Sequence, residues 1–201
     1  MAVKDFRQVV HDLRNRIAPI RNVLYLLRLR GTDDPKLADA IAMIERQVDA
    51  MSELLNEVST SDLPEVPSRA PSASARSQPG ASVGRRILVA DDSPAVCESF
   101  ASILRDLGHE VRVAHDGQEA VDMATAWAPD FVMLDVNMPR INGYEAARRL
   151  RAQFPSSAMR LVMISGANID PGVLAAARQA GFDQCLDKLL DFAALQAVLE
   201  A

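Results

Sequence analysis

Five short β-branched runs, each followed by a helical pattern, fill the second half of the chain and leave few folds open to it. RRILVAD (85–91), HEVRVAH (109–115), DFVMLD (130–135), MRLVMIS (159–165) and DQCLD (183–187) read as strands. Residues 94–107, 116–127, 142–153, 170–180 and 191–200 read as helices. Strands alternating with helices imply a parallel sheet, because each helical crossover returns the chain to the same edge, with helices covering both faces. Sites in such doubly wound sheets form at the carboxyl ends of the strands, beside the point where strand order reverses.

The carboxyl ends here hold a particular set of side chains. Asp91 and Asp92 end the first strand, Asp135 the third, Ser165 the fourth and Lys188 the fifth. Three converging carboxylates repel one another unless a cation joins them, and an all-oxygen donor set with room for water suits Mg²⁺. A lysine and a hydroxyl at the rim complete a pocket for a phosphoryl group, the cations neutralising its charge and Ser165 donating a hydrogen bond. Acidic residues also cap strand ends and helix N-termini. That accounts for Asp91, Asp92 or Asp116 singly, but not for five residues in register.

Residues 61–84 are mostly Pro, Ser, Ala and Gly, with almost nothing to bury, and read as a flexible linker. Before it lies a strong helical period. Phe6, Val10, Leu13, Ile17, Ile20, Leu24 and Leu27 step by alternating fours and threes, and Leu37, Ile41, Ile44, Val48, Met51, Leu55 and Val58 repeat the pattern. Gly31 can stop the first helix, and Asp34 with Pro35 forms an N-cap and first-turn pair for the second. Residues 1–60 are thus a helical hairpin with an apolar seam on each arm. Two helices cannot enclose such seams alone; two hairpins can, as a dimeric four-helix bundle. Packing of one hairpin on its own C-terminal domain is the alternative, and the long linker weighs against it.

The chemistry at the strand ends closely resembles the receiver domain of two-component response regulators, over 85–201. DDSPAV follows the first strand, LDVNMPRINGYEAARRLR spans the third strand end and its helix, ISGA follows the fourth strand and LDK the fifth. The resemblance implies a flavodoxin-like five-stranded parallel sheet of order 2-1-3-4-5, with Asp135 as phosphoacceptor. It makes Asp91 and Asp92 metal-site acids, the Asn137 main-chain carbonyl a further metal ligand, Ser165 the switch hydroxyl and Lys188 the phosphate-contacting lysine. Two positions depart from the family. Leu189 stands where a proline usually follows the lysine, and Cys185 where many receivers place an aromatic switch residue.

HDLRNRIAPIRNVLYLL (11–27) resembles the H-box of the dimerisation and phosphotransfer domain of sensor histidine kinases, on His11, Asp12, Arg14, Asn15, Pro19 and the apolar register. By position alone His11 is an ordinary surface histidine beside the seam; the H-box context makes it a nucleophile near neutral pH. The family would have Asp12 orient it or take its proton, and Asn15 position a water for dephosphorylating a docked receiver. Arg16 replaces the usual proline past the histidine, so a bend shifts to Pro19.

Residues 85–201 carry sixteen acidic against eleven basic side chains while the rest balance, so the net charge of −5 sits at the receiver-like end. No basic stripe favours nucleic acid. No apolar run reaches a membrane span, and Cys97 and Cys185 match no metal or disulfide pattern, which reads as cytoplasmic. No glycine-rich phosphate loop appears, so autophosphorylation from ATP is not expected, nor is an attached DNA-binding domain. The expectation is a phosphorelay protein, homodimeric through residues 1–60. It would move phosphoryl groups between His11, Asp135 and a separate sensor histidine kinase or response regulator. The rivals are a dimeric sequestering module with an inert His11, and a kinase or phosphatase component working with an ATP-binding domain in trans.

Overall fold

In a computed structural model of the chain, residues 6–31, 34–60, 84–166, 169–188 and 192–200 are described, with backbone alone at 6–8, 11, 29–30, 56–60, 192–193 and 200. The linker 61–83, Leu189 and the side chains of Phe6, His11 and Val58 lie outside the described residues. Two long helices, α1 (Phe6–Arg30) and α2 (Pro35–Thr60), precede an alternating unit. That unit runs β1 (Arg86–Ala90), α3 (Pro94–Asp106), β2 (Glu110–Ala114), α4 (Gly117–Trp127), β3 (Phe131–Asp135), α5 (Gly143–Gln153), β4 (Arg160–Ser165), α6 (Pro171–Ala180), β5 (Gln184–Asp187) and α7 (Phe192–Glu200).

The five strands are parallel in the order β2-β1-β3-β4-β5, as the sequence implies. Side chains alternate across the sheet. Leu88, Val132, Leu134, Leu161 and Met163 meet α4, α5 and α6 on one face. Ile87, Val89, Met133, Val162 and Ile164 meet α3 and α7 on the other. Burial on both faces is why these strands read as nearly continuous apolar runs.

Short polar side chains start the helices where expected. Asp116 accepts from the Gln118 and Glu119 amides at 2.9 Å, Asn142 from Glu145 N and Asp170 from Val173 N, each satisfying N–H groups that have no partner inside the helix. Asp34 caps α2 through Lys36 N at 2.9 Å, ahead of Pro35. At Gly143 a Cβ would collide with the Asp135 carbonyl, so only glycine lets α5 start against the end of β3.

The hairpin forms as the period requires, and its seams split in two. Ile17, Ala18, Leu24, Ile41 and Val48 close a small core between α1 and α2, with Val10 also buried. Leu13, Ile20 and Leu27 of α1, and Leu37, Ile44 and Met51 of α2, point outward and are at least 40% exposed. Each set is a row of seven-residue steps, so one row of each seam faces the partner helix and the other faces away.

The hairpin does not stand apart. α1 lies along α3, with Asn22 Nδ2 donating to Ser99 Oγ at 2.8 Å, and Tyr25 and Leu26 pack against the α3–α7 side of the sheet core. The less favoured sequence alternative, a hairpin packed on its own C-terminal domain, is therefore the arrangement of the single chain. Chain composition between the modules gives no hint of this, because the contact is made by side chains far from the linker. Among the described residues no helix is long and apolar enough to cross a membrane.

Candidate functional site

The carboxyl edge of the sheet gathers the residues singled out above. Asp91 and Asp135 are fully buried at the ends of β1 and β3, Lys188 is fully buried after β5, and Ser165 is 5% exposed at the end of β4. Asp92, the next residue along, is exposed. Asp91, Asp92 and Asp135 each bring a carboxylate oxygen within 4.8 Å of the others. Lys188 Nζ reaches Asp91 Oδ2 at 2.8 Å and Asp135 Oδ1 at 3.1 Å.

Local backbone holds these groups in place. Ser93 N donates to Asp91 Oδ1 at 2.9 Å and Asn137 N to Asp135 Oδ2 at 3.2 Å. Lys188 N donates to Ser165 O at 2.8 Å, tying the lysine to the end of β4. Arg140 in the β3–α5 loop adopts a left-handed φ of 64° and pairs with the α4 cap Asp116 at 3.0 Å, bracing the loop that carries Asn137.

Burial pushes the Asp91 carboxyl up to about 6, opposed by Lys188 and assisted by Asp135. Burial alone would lower the Lys188 ammonium, but Asp135 and Asp91 more than offset it and the net direction is up. The lysine is thus held charged. Three carboxylates against one ammonium leave excess negative charge, which a cation removes. An all-oxygen set with one member open to water matches the preference of Mg²⁺.

The first helix also enters this site. Asn15 Oδ1 accepts from Lys188 Nζ at 2.9 Å. Arg14, 2% exposed, donates through Nη1 to the Gly166 carbonyl just past β4. Its Nη2 lies 3.4 Å from Leu55 O of α2. Burial lowers the Arg14 guanidinium from its ordinary value, and Asp187 raises it. Sequence reasoning placed Arg14 only within the H-box pattern and missed its contact with the sheet; no periodicity marks a side chain that bonds a distant loop carbonyl.

The other singled-out residues divide. Asp12 is half-buried on α1, and Asn137 is exposed beside Asp135. His11 belongs to α1 one turn before Asn15, but its side chain lies outside the described residues. Cys97 and Cys185 are free thiols. Cys97 Sγ donates to Asp91 O at 3.4 Å and burial pushes it up to about 12, which marks it as an inert core residue. Cys185 is half-buried on β5 against the α4–α6 side of the core.

Known proteins share this fold. Residues 87–200 match the family model "Response regulator receiver domain". The response regulator MprA of Mycobacterium avium is 51% identical over 67 residues, 33% of this chain and 29% of that protein, so the chain spans under a third of the curated relatives it matches. The chemotaxis protein CheY4 of Vibrio cholerae superposes with a TM-score of 0.54 at 27% identity, over 59% of this chain and 98% of that one. The receiver domain of the sensor histidine kinase PA1611 from Pseudomonas aeruginosa, with a magnesium ion coordinated in its active site cleft, gives 0.53 at 30% identity, over 59% and 96%. The family match covers more than half of the chain and contains the acidic cluster and its lysine: the chain belongs to the response regulator receiver family.

Proposed function

We propose that the chain is a phosphorelay protein in which Asp135 is the phosphoacceptor and His11 a second phosphoryl carrier. The observation that carries this reading is the convergence of Asp91, Asp92, Asp135 and Lys188 on one pocket, with the H-box residue Asn15 bonded to Lys188. A carboxylate oxygen of Asp135 attacks the phosphorus of a phosphohistidine. The P–N bond breaks as the P–O bond forms, and the phosphoimidazole, already protonated on its other ring nitrogen, leaves as the neutral imidazole. Asp91, Asp92, Asp135 and the Asn137 carbonyl would hold Mg²⁺, which spreads the charge of the transferring group when bound. Lys188 and Ser165 contact the phosphoryl oxygens, and the backbone bonds at Ser93 and Asn137 keep the acids in place.

His11 and Asn15 are four residues apart on one helix face, so a turn of helix puts His11 next to the residue that touches the pocket. Asp12 orients the imidazole or takes its proton, and Asn15 positions a water for hydrolysis of the acyl phosphate. The outward apolar rows of α1 and α2 fit a second copy of the hairpin. Among the described residues the ten large apolar side chains that are exposed all belong to the hairpin, where a four-helix bundle would bury them.

The test is to incubate the chain with a panel of phosphorylated sensor kinases and map the label. Acid-labile label on His11, lost in His11→Gln, or hydroxylamine-sensitive label on Asp135 supports the relay. Quantitative failure of every donor to label either residue would leave the sequestering module as the better account.

A further inference from the structure

Lys188 sits at a crossroads with a countable capacity. An ammonium carries three N–H donors and no acceptor. Here three acceptors surround it: Asp91 Oδ2 at 2.8 Å, Asp135 Oδ1 at 3.1 Å and Asn15 Oδ1 at 2.9 Å. The two carboxylates hold the ammonium as ion-pair partners, while the hydrogen bond it donates goes to Asn15 of α1, so an incoming phosphoryl oxygen meets a lysine already bonded to that helix.

The same helix covers the pocket. Arg14 spreads over Gly166, where a Cβ would lie 3.6 Å from the Arg14 Cβ and 3.5 Å from the Lys188 side chain. Lys188, Asp135 and Asp91 are all completely buried in the full chain. Farther along α1, the Asn22–Ser99 bond and the packing of Tyr25 and Leu26 hold the helix against the sheet domain. The covering helix is thus fixed at both ends, by Arg14 and Asn15 over the pocket and by Asn22 to Leu26 on α3.

We propose that α1 is an intramolecular cap on the phosphoacceptor pocket, with Asn15 and a phosphoryl group on Asp135 competing for Lys188. This rests on the reading of Asp135 as phosphoacceptor. Phosphodonors in solution reach Asp135 only when α1 lifts. By reciprocity, an aspartyl phosphate that takes the lysine weakens the docking of the hairpin by the same factor. The polar pieces of this interface suit a contact that opens: a few hydrogen bonds and two half-buried side chains rather than a continuous apolar seam.

The experiment uses three full-length chains: the wild type, Asn22→Glu and Ser99→Glu. Each variant places a carboxylate in the α1–α3 contact and leaves every pocket residue intact. Asn22→Glu also leaves the entire receiver domain unchanged, and if it loosens the hairpin the cap is still removed. Each chain is incubated with acetyl phosphate and Mg²⁺, and acyl phosphate is followed by intact-protein mass. A cap closed about nine-tenths of the time leaves one tenth of the molecules competent, so both variants are expected to label about tenfold faster. Equal rates in all three chains overturn the cap while leaving the phosphoacceptor intact. No label in either undocked variant overturns the phosphoacceptor reading, and the cap with it. A second readout is hydrogen exchange of the wild-type chain with beryllium fluoride and Mg²⁺: faster exchange along residues 14–26 is expected, and unchanged exchange there contradicts the competition.

Discussion

Asn15 and Lys188 lie 173 positions apart in the chain, and their side chains meet at 2.9 Å. The pair joins a helix of the hairpin to the pocket of the receiver domain through one neutral amide and one buried ammonium. A carboxamide is suited to that place. It accepts a hydrogen bond from the lysine without adding a fourth negative charge to a pocket that already holds three.

Asp135→Asn should abolish labelling by acetyl phosphate in Mg²⁺, and Asp92→Asn should weaken it by loosening the metal site. The basis is the 4.8 Å grouping of the three carboxylates. Hydroxylamine-sensitive label at the wild-type level in Asp135→Asn would show that the acceptor lies elsewhere.

The hairpin offers a contrast between two rows of residues. Ile17→Asp and Leu24→Asp put a carboxylate into the α1–α2 core and should unfold the hairpin, since an unpaired buried charge costs several kcal/mol. Ile20→Glu with Ile44→Glu changes only outward positions and should leave the helices intact while breaking the dimer. Sedimentation equilibrium and circular dichroism together separate the two. A wild-type chain that is monomeric at high concentration would refute the dimer.

No label is expected on incubation with ATP and Mg²⁺ alone, because phosphoryl transfer to His11 needs a donor held in line within a few ångströms. Label should follow addition of a phosphorylated partner or a kinase ATP-binding domain. Acid-labile phosphate on His11 from ATP alone, in a preparation free of kinase, would turn the relay into an enzyme.

Stability should fall in acid partly through His109. Burial first, then Arg85, holds this imidazole below its ordinary value of 6.5, and Nδ1 accepts from Arg85 N at 3.2 Å. A depressed folded value means the unfolded chain takes the proton first. The contribution is full above about pH 6.5 and is lost as pH falls below it. His109→Gln should show a smaller loss of urea midpoint between about pH 7.5 and about pH 5.5 than the wild type. Identical losses would place the acid sensitivity elsewhere.

The sheet was legible because each of its signals is local. β-branched runs, a capping acid such as Asp116, and acids at strand ends all state their roles within a few residues. The element boundaries moved by a residue or so, as with the helix read from 116, which starts at Gly117 with Asp116 as its cap. The docking of α1 was not legible. A seam of fours and threes tells that Leu13 and Ile17 share a helix face, not that Ile17 turns inward and Leu13 out. Asn22, Ser99 and Arg14 are ordinary surface types until the fold brings them together.

The partner that α1 lies against is part of its own chain, joined through the segment 61–84. Covalent linkage of this length raises the local concentration of one module around the other to the order of millimolar. A separate helical protein seeking the same face of α3 competes against that figure, not against the cellular concentration of the hairpin. A chance encounter with a non-cognate hairpin at micromolar levels loses by about a thousandfold at equal intrinsic affinity. Attachment of the hairpin thus insulates the receiver from crosstalk, and only a partner present in abundance or shaped to bind much more tightly gains entry.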